Sequence, residues 1–150
     1  GQNSLGLTGP TTVFLLFSKV NDGTGFDSIF HGTSAGVSSP KMLETVTSGQ
    51  ILVQSNSVTV ADTTIATSVP HIWRIEYRTS ETRVFLDGID VTDNASATEK
   101  PGGFFIGKYP SNHAGHFSQC DYGWVAASDG LLSTVDAEAC ESYFISQFGL

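Results

Sequence analysis

The chain has 150 residues, 39% of them hydrophobic and 11% aromatic, which suits one globular domain and excludes a disordered or fibrous chain. Seven Lys and Arg face 15 Asp and Glu, a formal charge of -8, which disfavours binding to the phosphates of nucleic acid or of an anionic membrane. No apolar run nears the roughly 20 residues of a membrane span, and residues 1–10 lack the basic and apolar segments of a signal peptide.

In chain order, short β-type runs alternate with turn residues, the pattern of a sandwich or barrel. Residues 12–18 hold Val13, Phe14, Leu15, Leu16 and Phe17, an unbroken apolar run that predicts a strand covered on both faces. After the turn cluster 21–25, further strands are predicted over residues 26–31, 41–46, 51–54 and 58–61. Residues 71–92 give the clearest unit. Trp73, Ile75 and Tyr77 alternate with Arg74, Glu76 and Arg78, predicting one apolar and one charged face. Asp87-Gly88 then fits a type I′ turn, whose two central residues need positive φ, so a three-stranded meander follows.

Strands over residues 104–108 and 117–127 come next, separated by a loop over 109–116. The one predicted helix is last. Ser133 stands as N-cap with Asp136 three residues on, Cys140, Tyr143 and Phe144 mark an apolar face, and Gly149 closes the helix in the left-handed region. Cys120 and Cys140 show no CxxC or metal-ligand spacing and are compatible with either a disulfide or two buried thiols.

Three segments resemble the laminin G-like jelly rolls of the concanavalin A-like lectin/glucanase superfamily, in their bacterial and phage form. They are the tryptophan strand 71–77 with the hairpin 82–91, the Phe105-Ile106-Gly107 strand end, and the run from Asp121 through Trp124 and Leu132-Ser133 into the final helix. The resemblance implies an all-β, two-sheet antiparallel jelly-roll sandwich with one C-terminal helix, spanning residues 1–150 as one domain. It also implies that the chain is a C-terminal piece of a larger protein.

The scaffold carries lectins, adhesion domains, glycosidases and lyases alike, so function has to come from the site. Glycoside hydrolysis needs two carboxylates flanking a cleft. Glu76 and Glu81 are instead split by a turn, and Asp87 sits at a hairpin tip. The stretch 78–83 resembles the Arg-rich strand of the fold's lyases but lacks the Gln-Ile-His partner. His113 and His116 lie three apart in a loop without nearby acids, a poor metal cage.

Calcium, which asks for several oxygen ligands, has two candidate clusters: Asp22 and Asp27 beside Asn21, and Asp90 and Asp93 beside Asn94. A sugar site combines an aromatic platform with amide, hydroxyl and carboxylate groups at a loop rim. Asp27, Tyr109, Asn112 and His113 are the candidates, with Trp124 added if it faces outward. Trp73 is read as core. Asn94-Ala95-Ser96 matches a glycosylation sequon.

The expectation is a non-catalytic carbohydrate-binding or adhesion module of an extracellular, cell-surface or virion protein. Its partner is a polysaccharide or cell-surface glycan, calcium is a possible cofactor, and any oligomer forms through the parent protein. Two alternatives stand beside it. A structural or decoration domain predicts an exposed apolar patch, and a polysaccharide-degrading enzyme predicts titratable groups converging in one cleft.

Overall fold

The computed structural model describes residues 2–20, 27–33, 40–44, 50–55, 57–96, 98, 100–107 and 120–150, with residues 2–5, 27 and 44 described through their backbone. The strands are β1 (Gln2–Leu7), β2 (Thr11–Lys19), β3 (Asp27–Gly32), β4 (Lys41–Glu44), β5 (Gln50–Ser55), β6 (Val58–Thr64), β7 (Pro70–Tyr77), β8 (Thr82–Leu86), β9 (Ile89–Asp90), β10 (Gly102–Ile106) and β11 (Cys120–Asp129). One helix, α1 (Thr134–Phe148), follows them.

Two antiparallel sheets form. A six-stranded sheet runs β1-β10-β3-β4-β5-β6, and a five-stranded sheet runs β11-β2-β7-β8-β9. The fold is therefore the expected all-β two-sheet sandwich with a C-terminal helix. The residues that the period-2 pattern turns inward fill the space between the sheets. From the five-stranded sheet come Val13, Leu15, Phe17, Trp73, Ile75, Tyr77 and Val84; from the other come Phe30, Met42, Ile51, Val53 and Phe104. Trp73 is fully buried as predicted, its ring stacked 6.2 Å from Phe17.

Turn chemistry sets the meander. Asp87 at φ 50° and Gly88 at φ 83° supply the two left-handed residues that join β8 to β9. β11 carries a bulge between Tyr122 and Trp124. At Gly123, between them, a Cβ atom would sit 2.9 Å from Leu16 Cδ2, so a larger residue there would require the Leu16 side chain to shift.

The helix caps form as read. Ser133 Oγ accepts the Asp136 N–H at 3.1 Å, and Gly149 at φ 69° donates its N–H to the Ile145 carbonyl at 2.9 Å. Its packing face differs from the prediction. The buried residues are Ala137, Glu141 and Phe144, while Tyr143 is 58% exposed and Cys140 only partly covered. Cys120 and Cys140 are not joined in a disulfide.

α1 lies on the outer face of the five-stranded sheet, where Phe144 packs with Leu16 and Ile72. This explains why β2 is covered on both sides. It also corrects the expected charged face of β7. Arg74 and Glu76 are 3% and 5% exposed, because the helix lies over them and brings Glu141.

Candidate functional site

Strand ends bring the predicted rim segments to one edge of the sandwich. β2 finishes at Lys19, opposite the start of β11 at Cys120, and Lys19 also bridges to Thr67. Across the core, β3 begins at Asp27 opposite Glu44, and β10 ends at Ile106 opposite Phe30. The described strand ends that flank residues 21–26 and 108–119 therefore lie at this edge. Tyr122 fastens the two sheets at this edge by donating its hydroxyl to the Ile29 carbonyl at 3.0 Å. Asp22, Tyr109, Asn112 and His113 lie outside the described residues, and Asp27 is described through its backbone alone.

The second predicted calcium cluster stands elsewhere, beside β6, with two strands, β4 and β5, between it and β3. There the Asp93 carboxylate accepts the Asp62 N–H at 3.1 Å, and the Asp93 N–H donates to the Val60 carbonyl. Asp90 accepts from the Thr92 N–H at 2.9 Å and from Arg83 at 3.2 Å. Asn94 closes a local turn with Ser96. These oxygens serve the connection between the sheets and do not fit a calcium cage. Among the described residues, no three His, Cys, Asp or Glu side chains come together to hold a metal.

Trp124 faces outward from the five-stranded sheet and is 37% exposed. Its ring lies 4.1 Å from that of Phe144, so the helix takes one side of the platform.

A second polar surface went unread in the sequence. On the outer face of the six-stranded sheet, register aligns Phe105 with His31, His31 with Lys41, Lys41 with Gln54, and Gln54 with Thr59. The row runs across five adjacent strands from the partly open Phe105 ring over the buried His31 to the partly open ammonium, amide and hydroxyl of Lys41, Gln54 and Thr59. Ser28, Leu43, Leu52 and Asp62 form the next row. The signal was the alternation in β5, where Gln50, Leu52 and Gln54 are partly open while Ile51, Val53 and Ser55 are buried.

His31 is buried, with Nδ1 2.7 Å from the Gly32 carbonyl. Burial holds its pKa below the ordinary value, the Gly32 hydrogen bond opposes this, and the nearby Lys41 charge adds to the lowering. Burial lowers Lys41 as well.

Glu76 of β7, Glu81 before β8, Asp90 of β9 and Glu141 of α1 are engaged in ion pairs. Arg74 contacts Glu76 at 2.6 Å and Glu141 at 2.9 Å; Arg78 contacts Glu76 at 2.6 Å and Glu81 at 2.8 Å; Arg83 contacts Glu81 and Asp90 at 3.2 Å. Arg74 also stacks its guanidinium 3.7 Å over the Phe85 ring. The lyase-like stretch 78–83 is therefore an ion-paired turn. Burial raises Glu141, and Arg74 opposes that shift.

No protein-family model matches the chain, and no curated protein does. Solved structures do resemble it. A sialidase of Trypanosoma rangeli in complex with sialic acid superposes with a TM-score of 0.74 at 12% identity, over 89% of this chain and 23% of that one. Domain 4 of AbnA, a GH43 extracellular arabinanase from Geobacillus stearothermophilus, in complex with arabinotriose, gives a TM-score of 0.65 at 14% identity, over 92% of this chain and 70% of that domain. The chain thus spans about a quarter of the sialidases it resembles, and at such identities what is shared is the two-sheet β-sandwich fold.

Proposed function

We propose that the chain is a non-catalytic carbohydrate-binding or adhesion module of the laminin G-like kind, working within a larger extracellular, cell-surface or virion protein. The observation that carries this reading is the register row Phe105–His31–Lys41–Gln54–Thr59. It places the partly open Lys41 ammonium, Gln54 amide and Thr59 hydroxyl side by side on a sheet face that the described helix leaves uncovered, with the Phe105 ring two strands from Lys41 across the buried His31. Sugars are held by this combination, a ring face for their C–H groups and polar side chains for their hydroxyls.

Two further observations support it. A structural neighbour at 14% identity is a domain in complex with arabinotriose. The described carboxylates Glu76, Glu81, Asp90 and Glu141 are each held in ion pairs with arginine, unlike the acid and base that a glycosidase sets across a cleft. A rim calcium held through Asp22 and Asp27 belongs to the same proposal.

The test is binding to a panel of microbial and plant polysaccharides, with calcium and again with a chelator, while polymer length is followed by size exclusion. Saturable binding with unchanged polymer length is expected, and loss on chelation would add the metal. Shortened polymer would instead identify an enzyme. No binding to any glycan would move the weight to a protein-contacting structural role, a reading favoured by the exposed Val135, Tyr143 and Phe148 of α1.

A further inference from the structure

A cleft of about 450 Å³ opens where the C-terminal end of α1 meets the start of β7 and the β8–β9 turn, away from the polar face of the six-stranded sheet. We propose that this cleft binds a small organic cation, an ammonium carried on an apolar body. This site is independent of the glycan reading.

Its floor is polar and fixed. The type I′ turn throws Asp87 back toward β7, where Oδ1 accepts the Ile72 N–H at 2.9 Å and Oδ2 lies 2.7 Å from His71 Nδ1. The Asp87 N–H in turn donates to the Ile72 carbonyl at 2.8 Å. The carboxylate is thus held without rotamer freedom, yet its side chain is 37% exposed. Each carboxylate oxygen keeps a second acceptor site for a ligand N–H.

The walls are apolar: Val69, Pro70, Ile145 and Leu150, of which Val69 is 44% and Leu150 37% exposed. Charge decides the ligand's sign. The helix ends beside the cleft at the Gly149 cap, the negative pole of its dipole, and its last turn holds no basic residue. Among the described lining residues there is no Lys or Arg, and the one basic side chain is His71, paired with Asp87 Oδ2. A carboxylate and a helix C-terminus together favour a cation and repel an anion. The cleft volume matches those that take small molecules, typically about 300–1,000 Å³, and the apolar walls match a ring or alkyl body better than a hydroxylated one.

The experiment titrates the intact protein with benzylammonium, benzyl alcohol, benzoate and glucosamine, read by amide shifts of Ile72 and Gly88 and by calorimetry. Benzylammonium is expected to bind saturably and at least about tenfold more tightly than the neutral alcohol, the margin of one charged hydrogen bond. Benzoate should not bind, and glucosamine should bind more weakly than benzylammonium.

Asp87→Asn should weaken benzylammonium by about tenfold or more. Because Asp87 also braces β7, Val69→Lys serves as the second variant. It sets a competing cation at the exposed mouth and should abolish binding without touching the core. Equal affinity for the alcohol and the ammonium would overturn the proposal. So would unchanged binding by both variants, tighter binding of glucosamine, or no saturable binding of benzylammonium.

Discussion

The two outer faces of the sandwich begin from similar strands and end in opposite states. On the five-stranded sheet, Ile72, Arg74 and Glu76 face outward from β7 and are all buried, because α1 lies over them. On the six-stranded sheet the outward rows are buried at Ser28, His31 and Leu43, but Lys41, Gln54 and Thr59 stay partly open, and no described helix covers them. Charge on alternate strand positions therefore does not by itself mark a solvent face. What separates the faces is a complementary covering element. α1 brings Phe144 for the apolar patch of Leu16 and Ile72, and Glu141 for the Arg74 guanidinium. The apolar contacts supply the docking energy, and the ion pair fixes how the helix sits, since a buried pair adds little net stability yet is costly to break.

Removing one partner is the hardest blow to the covered face. Arg74→Met strands Glu141 in a buried site and takes one of two guanidiniums from Glu76, so the loss is expected to be about 3–5 kcal/mol by urea unfolding. Adding Glu141→Leu should recover most of it, because Glu76 keeps Arg78. If the double variant is as unstable as the single one, the pair is not what fixes the helix. Phe144→Ala, which empties the contact with Trp124, Leu16 and Ile72, should cost about 3 kcal/mol. The N-cap change Ser133→Ala should cost about 1 kcal/mol.

Local chemistry made the meander and the helix ends legible. Asp87-Gly88, Ser133 with Asp136, and Gly149 each answer a backbone demand that few residues meet, and each stands where it was read. The covered face was not legible, for a physical reason. The buried stripe of α1 is Ala137, Glu141 and Phe144, one small residue, one acid and one ring, so hydropathy shows little helical periodicity.

Tyr143 misled by lying next to Phe144, and Arg74 with Glu76 looked solvent-bound without Glu141 in view. β1 escaped because Asn3, Ser4 and Gly6 break the apolar alternation. The polar row of the six-stranded sheet was hidden because its members come from five separate strands, and only pairing register aligns them.

Acid should act on the two faces with opposite signs. His31 is held below its ordinary 6.5 by burial, so the stability it contributes is present above 6.5 and is lost as pH falls through its folded value. Glu141 is held above its ordinary 4.5, again by burial. Its contribution is therefore full below 4.5 and is lost as pH rises through its folded value.

Unfolding curves from about pH 4 to about pH 7.5 separate the two, since this window spans the ordinary carboxylate and imidazole ranges. Relative to His31→Gln, the native protein should lose stability as pH drops below 6.5. Relative to Glu141→Gln, it should gain as pH drops toward 4.5. Parallel slopes for the native protein and both variants would remove the distinction between the faces.

The smallest effect on stability is expected on the open face, and there binding is the informative measurement. Gln54 Nε2 reaches Thr59 Oγ1 at 3.4 Å, a long contact between partly exposed groups, so Gln54→Ala and Thr59→Val should each shift stability by no more than about 0.5 kcal/mol. If this row holds the sugar, each change removes a hydrogen bond made to the ligand. Affinity should then fall about fivefold to tenfold per site, while unfolding stays unchanged. Tyr109→Ala supplies the opposing case, because Tyr109 is the aromatic candidate that the sequence offers in the segment 109–116, between β10 and β11. Binding that ignores Gln54 and Thr59 but vanishes with Tyr109 would move the site to that segment and leave the polar row as solvated surface.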